Sequence, residues 1–220
     1  MSLRNCQSEC IELFYEMRKR APKGRLAAPF LSVRESNWAV GEVRPILFVG
    51  KATDGDWKED KFRACARDRR VEERLRASRD FVGAMRSRPK SAFWRFWNSL
   101  GHRGLPVIWT NLAKIGVTSG NPRGWYLEAQ CDLAVKTLEA EVKEYNPILV
   151  VLVTSDYAKD QIVYRKWPQK NWTVSDYDLS TCWINASDGE PAVLWTDHPQ
   201  GKRAEKVSYW LGKACSLLGN

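Results

Sequence analysis

Short apolar runs bounded by turn residues alternate with longer amphipathic stretches along most of this chain. ILFVG at 46–50, introduced by Pro45, VIWTNL at 107–112, ILVVLV at 148–153 and AVLWT at 192–196 are short and almost wholly apolar. That is the character of a strand buried on both faces. TCWIN, just before SDGEP, is placed to pair with AVLWT as a hairpin. Residues 3–20 predict an N-terminal helix with Cys10, Leu13, Phe14 and Met17 facing inward, ended near Pro22 and Gly24. FWRFWNSLG sets Phe93, Trp97 and Leu100 on one helical face before Gly101, and 202–218 closes the chain as a helix. An amphipathic helix lies between VIWTNL and ILVVLV, so 107–153 reads as a βαβ unit. Strands alternating with helices predict a three-layer α/β/α fold around a central, mostly parallel four-stranded sheet, with room for an extra hairpin strand. Ligands of such sheets bind outside the carboxyl ends of the strands. Chemistry is therefore expected at Gly50-Lys51-Ala52-Thr53-Asp54, at Asn111, at Thr154-Ser155-Asp156 and at Asp197-His198-Pro199.

Size changes this picture little. The 220 residues, 44% hydrophobic, suit one domain spanning 1–220, with no repeat, low-complexity segment or long linker. No apolar run approaches the roughly 20 residues needed to span a bilayer, so no membrane association is expected. MSLRNCQSEC lacks the apolar centre of a signal peptide, and the six cysteines follow no disulfide framework, which points to a reducing, cytoplasmic setting. Cys6 and Cys10 fall on the predicted N-terminal helix and read as buried apolar thiols.

Charge changes it more. Of the net +9, the segment 61–90 supplies eleven Lys/Arg against four Asp/Glu. Phe62, Ala66, Val71, Leu75, Val82 and Met85 recur there at helical intervals with arginines between them, predicting a basic helical segment over 60–90. A concentrated cationic face attracts polyanions in a salt-dependent, sequence-independent way. DNA, single- or double-stranded, is the expected partner, with Arg67, Arg70 and Arg74 as candidate contacts. The alternative is a solvated helix surface laced with Arg–Glu pairs.

Several positions together resemble the uracil-DNA glycosylase superfamily, in particular the branch whose second strand ends in TN, continues through a GN-x-P-like loop and enters a helix through E-x-x-x-C. Here Thr110, Asn111, Gly120, Asn121, Glu128 and Cys131 stand for these positions, Glu128 and Cys131 lying one residue closer together than in that pattern, and an HPS-like tetrad, DHPQ at 197–200, follows late in the chain. The resemblance covers most of the chain from Arg44 onward. It implies a uracil-DNA glycosylase-like fold and hydrolysis of the N-glycosidic bond of uracil or another deaminated base, without metal or organic cofactor, by a monomer. It implies that Asn111 reads the edge of the extruded base, that His198 stabilises the departing base, and that the loop after the first strand carries the water-activating group. Gly50 and Lys51 would border the base, Phe93 or Trp94 would stack on it, and Lys202 and Arg203 would bind phosphate.

The chemistry of such a bond explains these residue types. Cleavage develops positive charge on the sugar and negative charge on the base, so a carboxylate near the first and an imidazole donor near the second both help. Asp54 and Asp56 are the candidate carboxylates. An amide offers one donor and one acceptor, which matches the N3–H and O4 edge of uracil. The base has to leave the helical stack to reach such a pocket. The departures are equally specific: Lys51 stands where the resembled branch has its acidic residue, Gln200 replaces the serine of HPS, and IGVTSG follows the strand end where a proline-rich turn is expected. Two other readings remain open beside catalysis on a base. One is a relative that binds nucleic acid or a nucleobase without turnover; the other is a phosphoester hydrolase with Asp54, Asp56 and Asp197 around Mg²⁺.

Overall fold

A computed structural model describes residues 1–33, 43–52, 67–87, 91–101, 105–177, 180–185 and 190–219, with the backbone alone at 67–70, 86–87, 176–177 and 180–181. The elements in chain order are α1 (Leu3–Arg20), β1 (Ile46–Gly50), α2 (Arg67–Ser87), α3 (Ala92–Gly101), β2 (Val107–Asn111), the short α4 (Trp125–Glu128), α5 (Cys131–Tyr145) and β3 (Leu149–Val153). A π-helical turn at Lys159–Val163 then runs into α6 (Tyr164–Lys166), followed by β4 (Thr173–Tyr177), β5 (Ser180–Asn185), β6 (Ala192–Thr196) and α7 (Ala204–Leu217).

The strands form a single six-stranded sheet in the order β2-β1-β3-β6-β5-β4. β2, β1, β3 and β6 are mutually parallel, while β5 pairs antiparallel with β6 and β4 antiparallel with β5. The predicted hairpin of TCWIN with AVLWT is thus present, and the expectation of four strands is corrected to six. β4 escaped prediction because it is an edge strand of sequence TVSDY, in which the apolar Val174 is 59% exposed. Burial of one face alone imposes no run of apolar residues.

Helices cover both faces of the sheet. On one, Leu47, Val49, Ile108, Val150, Leu152 and Trp195 pack against Leu3 and Cys6 of α1, Ala134 and Leu138 of α5, and Ile162 of the π-turn. On the other, Phe48, Trp109, Val151 and Leu194 meet Val82 of α2, Trp97 and Leu100 of α3, and Trp210 of α7. Alternate residues of one strand therefore enter different cores, which is why these strands read as continuous apolar runs. Each fully buried side chain of this kind stabilises the fold by roughly 1.5–3 kcal/mol.

The helix ends obey local chemistry. Ser2 caps α1, its Oγ accepting from the Asn5 N–H at 3.2 Å. Asn146 ends α5 in a left-handed conformation at φ 44° just before Pro147. α1 matches the predicted 3–20, and α7 is two residues shorter at its start than 202–218. Within the predicted basic segment 60–90, residues 60–66 and 88–90 lie outside the described residues. The five described cysteines, 6, 10, 131, 182 and 215, are buried, and burial pushes the Cys10 thiol up to about 12. Among the described residues no helix is long and apolar enough to cross a membrane.

Candidate functional site

The strand order creates the place where a site can form. From β1 the chain crosses to β2 on one side and then to β3 on the other, so the connections diverge at the carboxyl ends of β1 and β3. Diverging connections leave a crevice there. Four polar strand ends border it: Gly50-Lys51 after β1, Asn111 at the end of β2, Thr154-Ser155 after β3, and Asp197-His198 after β6.

Gly50 and Asn111 face each other across the β1–β2 register. A Cβ on Gly50 would sit 2.5 Å from Asn111 Oδ1 and 3.3 Å from both Phe93 Cε2 and Trp109 Nε1. Glycine is what allows the amide to lie over the β1 backbone. The following turn is tied back to β1, Leu112 donating to the Gly50 carbonyl and Ala113 to that of Lys51, each at 2.9 Å. Asn111 is 1% exposed, and its Nδ2 has no hydrogen-bond partner among the described residues. A buried amide donor left unpaired costs about 1–3 kcal/mol, a cost that a hydrogen-bonding ligand removes.

His198 approaches the same place from the other side of the crevice. Its ring stacks on Phe93 at a centroid separation of 5.6 Å and an interplanar angle of 17°. Phe93 thereby touches both the Asn111 side and the His198 side of the site. The backbone of His198 is held by Ser155, whose Oγ accepts from the His198 N–H at 3.0 Å, and Nδ1 accepts from the Gln200 N–H at 3.3 Å. Burial, then Lys51 and Lys202, push the imidazole down to about 4. The ring is neutral at physiological pH, and with Nδ1 an acceptor its single proton sits on Nε2.

The rim is cationic. Burial raises the Asp197 carboxyl, but Lys202 at 3.0 Å and Lys206 at 3.3 Å from its Oδ2 more than offset this and hold it below the ordinary range. Burial lowers the Lys51 ammonium, Asp197 opposes that shift, and Lys202 and Arg123 add to it. Arg123 belongs to the loop after β2. That loop is fastened to the far side of the crevice by Tyr157, whose hydroxyl donates to the Pro122 carbonyl at 3.1 Å.

Beneath Asn111, on the opposite face of the sheet, lies a buried ion pair. Lys114 Nζ donates to both Glu141 oxygens, at 3.0 and 2.8 Å, and to Thr110 Oγ1 at 2.8 Å. Thr110 and Ser32 donate to Glu141 Oε1 at 2.8 and 2.7 Å. The Lys114 and Glu141 side chains are 3% and 1% exposed. The pair fixes both ends of the Thr110–Lys114 turn to α5, and so fixes the backbone from which the Asn111 amide projects.

Of the predicted site residues, the fold brings Gly50, Lys51, Asn111, Phe93 and His198 to this crevice. Trp94 is instead buried in the core beside it, edge-on to Phe93 at 5.0 Å and to Trp109 at 4.9 Å. Lys202 and Arg203 are exposed in the turn leading to α7. Arg74 points inward, 4% exposed, its Nε donating to the Pro29 carbonyl at 2.6 Å, so it is not part of a surface that meets phosphate. Arg67 and Arg70 lie on α2, with side chains outside the described residues, and Asp54 and Asp56 lie outside them altogether. Sequence reasoning placed Ser155 at a strand end expected to carry chemistry but gave it no role, and it missed Arg123 and the Lys114–Glu141 pair. Ser155 sits at φ 49°, which its sequence context does not announce. Glu141 had a legible sign, because it falls on the buried stripe of α5 with Ala134, Leu138 and Tyr145. A carboxylate there requires a partner.

No protein-family model matches this chain, and no curated protein matches it.

Proposed function

We propose that this chain is a DNA base-excision glycosylase with a uracil-DNA glycosylase-like fold, which hydrolyses the N-glycosidic bond of uracil or another deaminated base extruded into the crevice. The observation that carries this reading is the convergence on Phe93 of an unpaired, buried Asn111 amide and a neutral His198. An amide with a free Nδ2–H suits a carbonyl on the base edge. A neutral imidazole bearing its proton on Nε2 suits an oxygen that gains negative charge as the base departs, because it stabilises charge that appears only in the transition state. The lysines at the rim add to that stabilisation and attract the DNA backbone.

A binding protein without turnover is the second reading, and Lys51 is what favours it. It sets a cation where the resembled family has a carboxylate, and the remaining candidates for activating water are Asp54 and Asp56. The metal-dependent phosphoester hydrolase loses support at Asp197, since two ammonium groups already engage its Oδ2. The glycosylase reading carries with it a monomer acting on DNA in the cytoplasm, with Lys202, Arg203, Arg67 and Arg70 as phosphate contacts.

The test is an excision assay on end-labelled single- and double-stranded DNA containing uracil, hypoxanthine, xanthine or mismatched thymine, with EDTA present and alkali added afterwards. Alkali-dependent cleavage by the wild type that is lost in His198→Ala is the expected result. Salt-sensitive retention of DNA with no base released from any substrate would leave the binding protein instead.

A further inference from the structure

We propose a second activity at the same crevice: the Lys51 amine forms an imine with the aldehyde of an abasic deoxyribose and cleaves the DNA chain beside it by β-elimination. The inference rests on the reading that the crevice receives an extruded nucleotide. It explains the lysine at the end of the central strand as a change of chemistry.

Lys51 directly follows β1, and its backbone is fixed there by the Ala113 N–H on its carbonyl at 2.9 Å. The side chain is half-buried, and among the described residues its Nζ makes no hydrogen bond or ion pair. Its neighbours differ in this respect. Lys202 and Lys206 are both held by Asp197, and Lys114 is held by Glu141. Lys51 is thus, among the described residues, an unengaged amine at the carboxyl end of β1, next to the Gly50 that faces Asn111, and its charge acts on the His198 imidazole. Attack on a carbonyl carbon needs the unprotonated amine, and enzymes obtain it by desolvation and by neighbouring cations. Both are present here, since burial, Lys202 and Arg123 lower the Lys51 ammonium against the pull of Asp197.

The step balances without an added oxidant or reductant. The Lys51 nitrogen attacks C1′ of the ring-opened abasic sugar, and the resulting carbinolamine loses water to give the imine. The C2′ proton then passes to water, and its electron pair forms the C2′–C3′ double bond as the C3′–O bond breaks and the phosphate leaves. Water finally hydrolyses the imine, releasing an unsaturated aldehyde end and restoring the amine.

The experiment uses the full chain with oligonucleotides carrying a preformed abasic site, so that base release is not required. Sodium borohydride reduces any imine to a stable secondary amine. The wild type is expected to give a covalent protein–DNA adduct that peptide mass spectrometry places on Lys51, and, without borohydride, strand cleavage in the absence of alkali. Lys51→Arg keeps the cation but cannot form the imine, and it is expected to lose both products. The proposal is overturned if the wild type gives no adduct, or if the adduct maps to another amine such as that of Met1. Mapping on the wild type decides the matter even if the variant folds poorly. Alkali-dependent base release with no adduct would sink this inference and leave the glycosylase standing. An adduct on abasic DNA with no base released from any substrate would do the reverse.

Discussion

The imidazole of His198 lies on the ring of Phe93, 5.6 Å between centroids and 17° from parallel, although the two residues come from a turn after β6 and from α3 on the far side of the sequence. Phe93 also meets Phe48 edge-on at 5.0 Å, so the platform under the imidazole is anchored in the core. Phe93→Leu fills much of the same volume but removes the stack, at an expected cost of about 1–1.5 kcal/mol. The His198 ring should then gain access to water, and its pKa should rise from about 4 toward 6.5. Titration of the imidazole carbon-bound protons by NMR checks this, with His198→Ala separating its signal from that of the one other histidine.

The depressed His198 pKa fixes the sign of a pH effect. In the unfolded chain the imidazole takes up its proton near 6.5, in the folded protein only near 4. Between those values the unfolded state binds more protons, so stability falls as pH is lowered, and above 6.5 His198 contributes no slope. Denaturant melts of the wild type and His198→Gln should run parallel above pH 6.5 and differ in slope between 6.5 and 4, the wild type losing more. A slope that is the same in both proteins across that window would show that the ring is not held neutral.

Asn111 sets function against stability. Replacing the buried amide by leucine removes the unpaired Nδ2, so Asn111→Leu is expected to be neutral or stabilising by up to about 1–2 kcal/mol while abolishing the base recognition proposed for it. Thermal melting paired with the excision assay measures both halves. An Asn111→Leu protein that retained full activity would remove the amide from the site.

Gly50→Ala tests the other side of the same contact. Its methyl group would lie 2.5 Å from Asn111 Oδ1, a distance that forces the amide to move. The expected cost is about 1–3 kcal/mol of stability, as for other overpacked positions, together with a larger loss of the proposed base binding than of nonspecific DNA retention. Equal losses of both would mean that the substitution acts through the fold as a whole.

The Lys114–Glu141 pair should behave as buried ion pairs do when one partner is removed. Lys114→Met leaves an uncompensated carboxylate at 1% exposure and is expected to cost about 3–5 kcal/mol, whereas Lys114→Met combined with Glu141→Leu should recover most of it. A double-mutant cycle in urea measures the coupling. Because the pair holds the turn that carries Asn111, the double variant should regain stability without regaining full activity.

The strands buried on both faces, the inward stripes of α1, α3 and α5 and the concentration of charge in 61–90 are legible in the sequence, because periodicity and apolar runs are properties of neighbouring residues. The four parallel strands with polar residues at their carboxyl ends follow from the same patterns, and they point to Gly50, Lys51, Asn111 and His198. The edge strand β4 is not legible, since a half-exposed polar strand obeys no such pattern. Nor does sequence show which polar residues turn inward. Arg74 sits among the arginines of a basic helix, yet it turns inward, where its Nε donates to the Pro29 carbonyl. The stack of His198 on Phe93, the pairing of Glu141 with Lys114 across 27 residues and the unengaged amine of Lys51 are decided by which elements the sheet order makes neighbours. Local pattern determines the elements and their buried faces, whereas contacts between residues far apart in the chain exist only once the strands have taken their places.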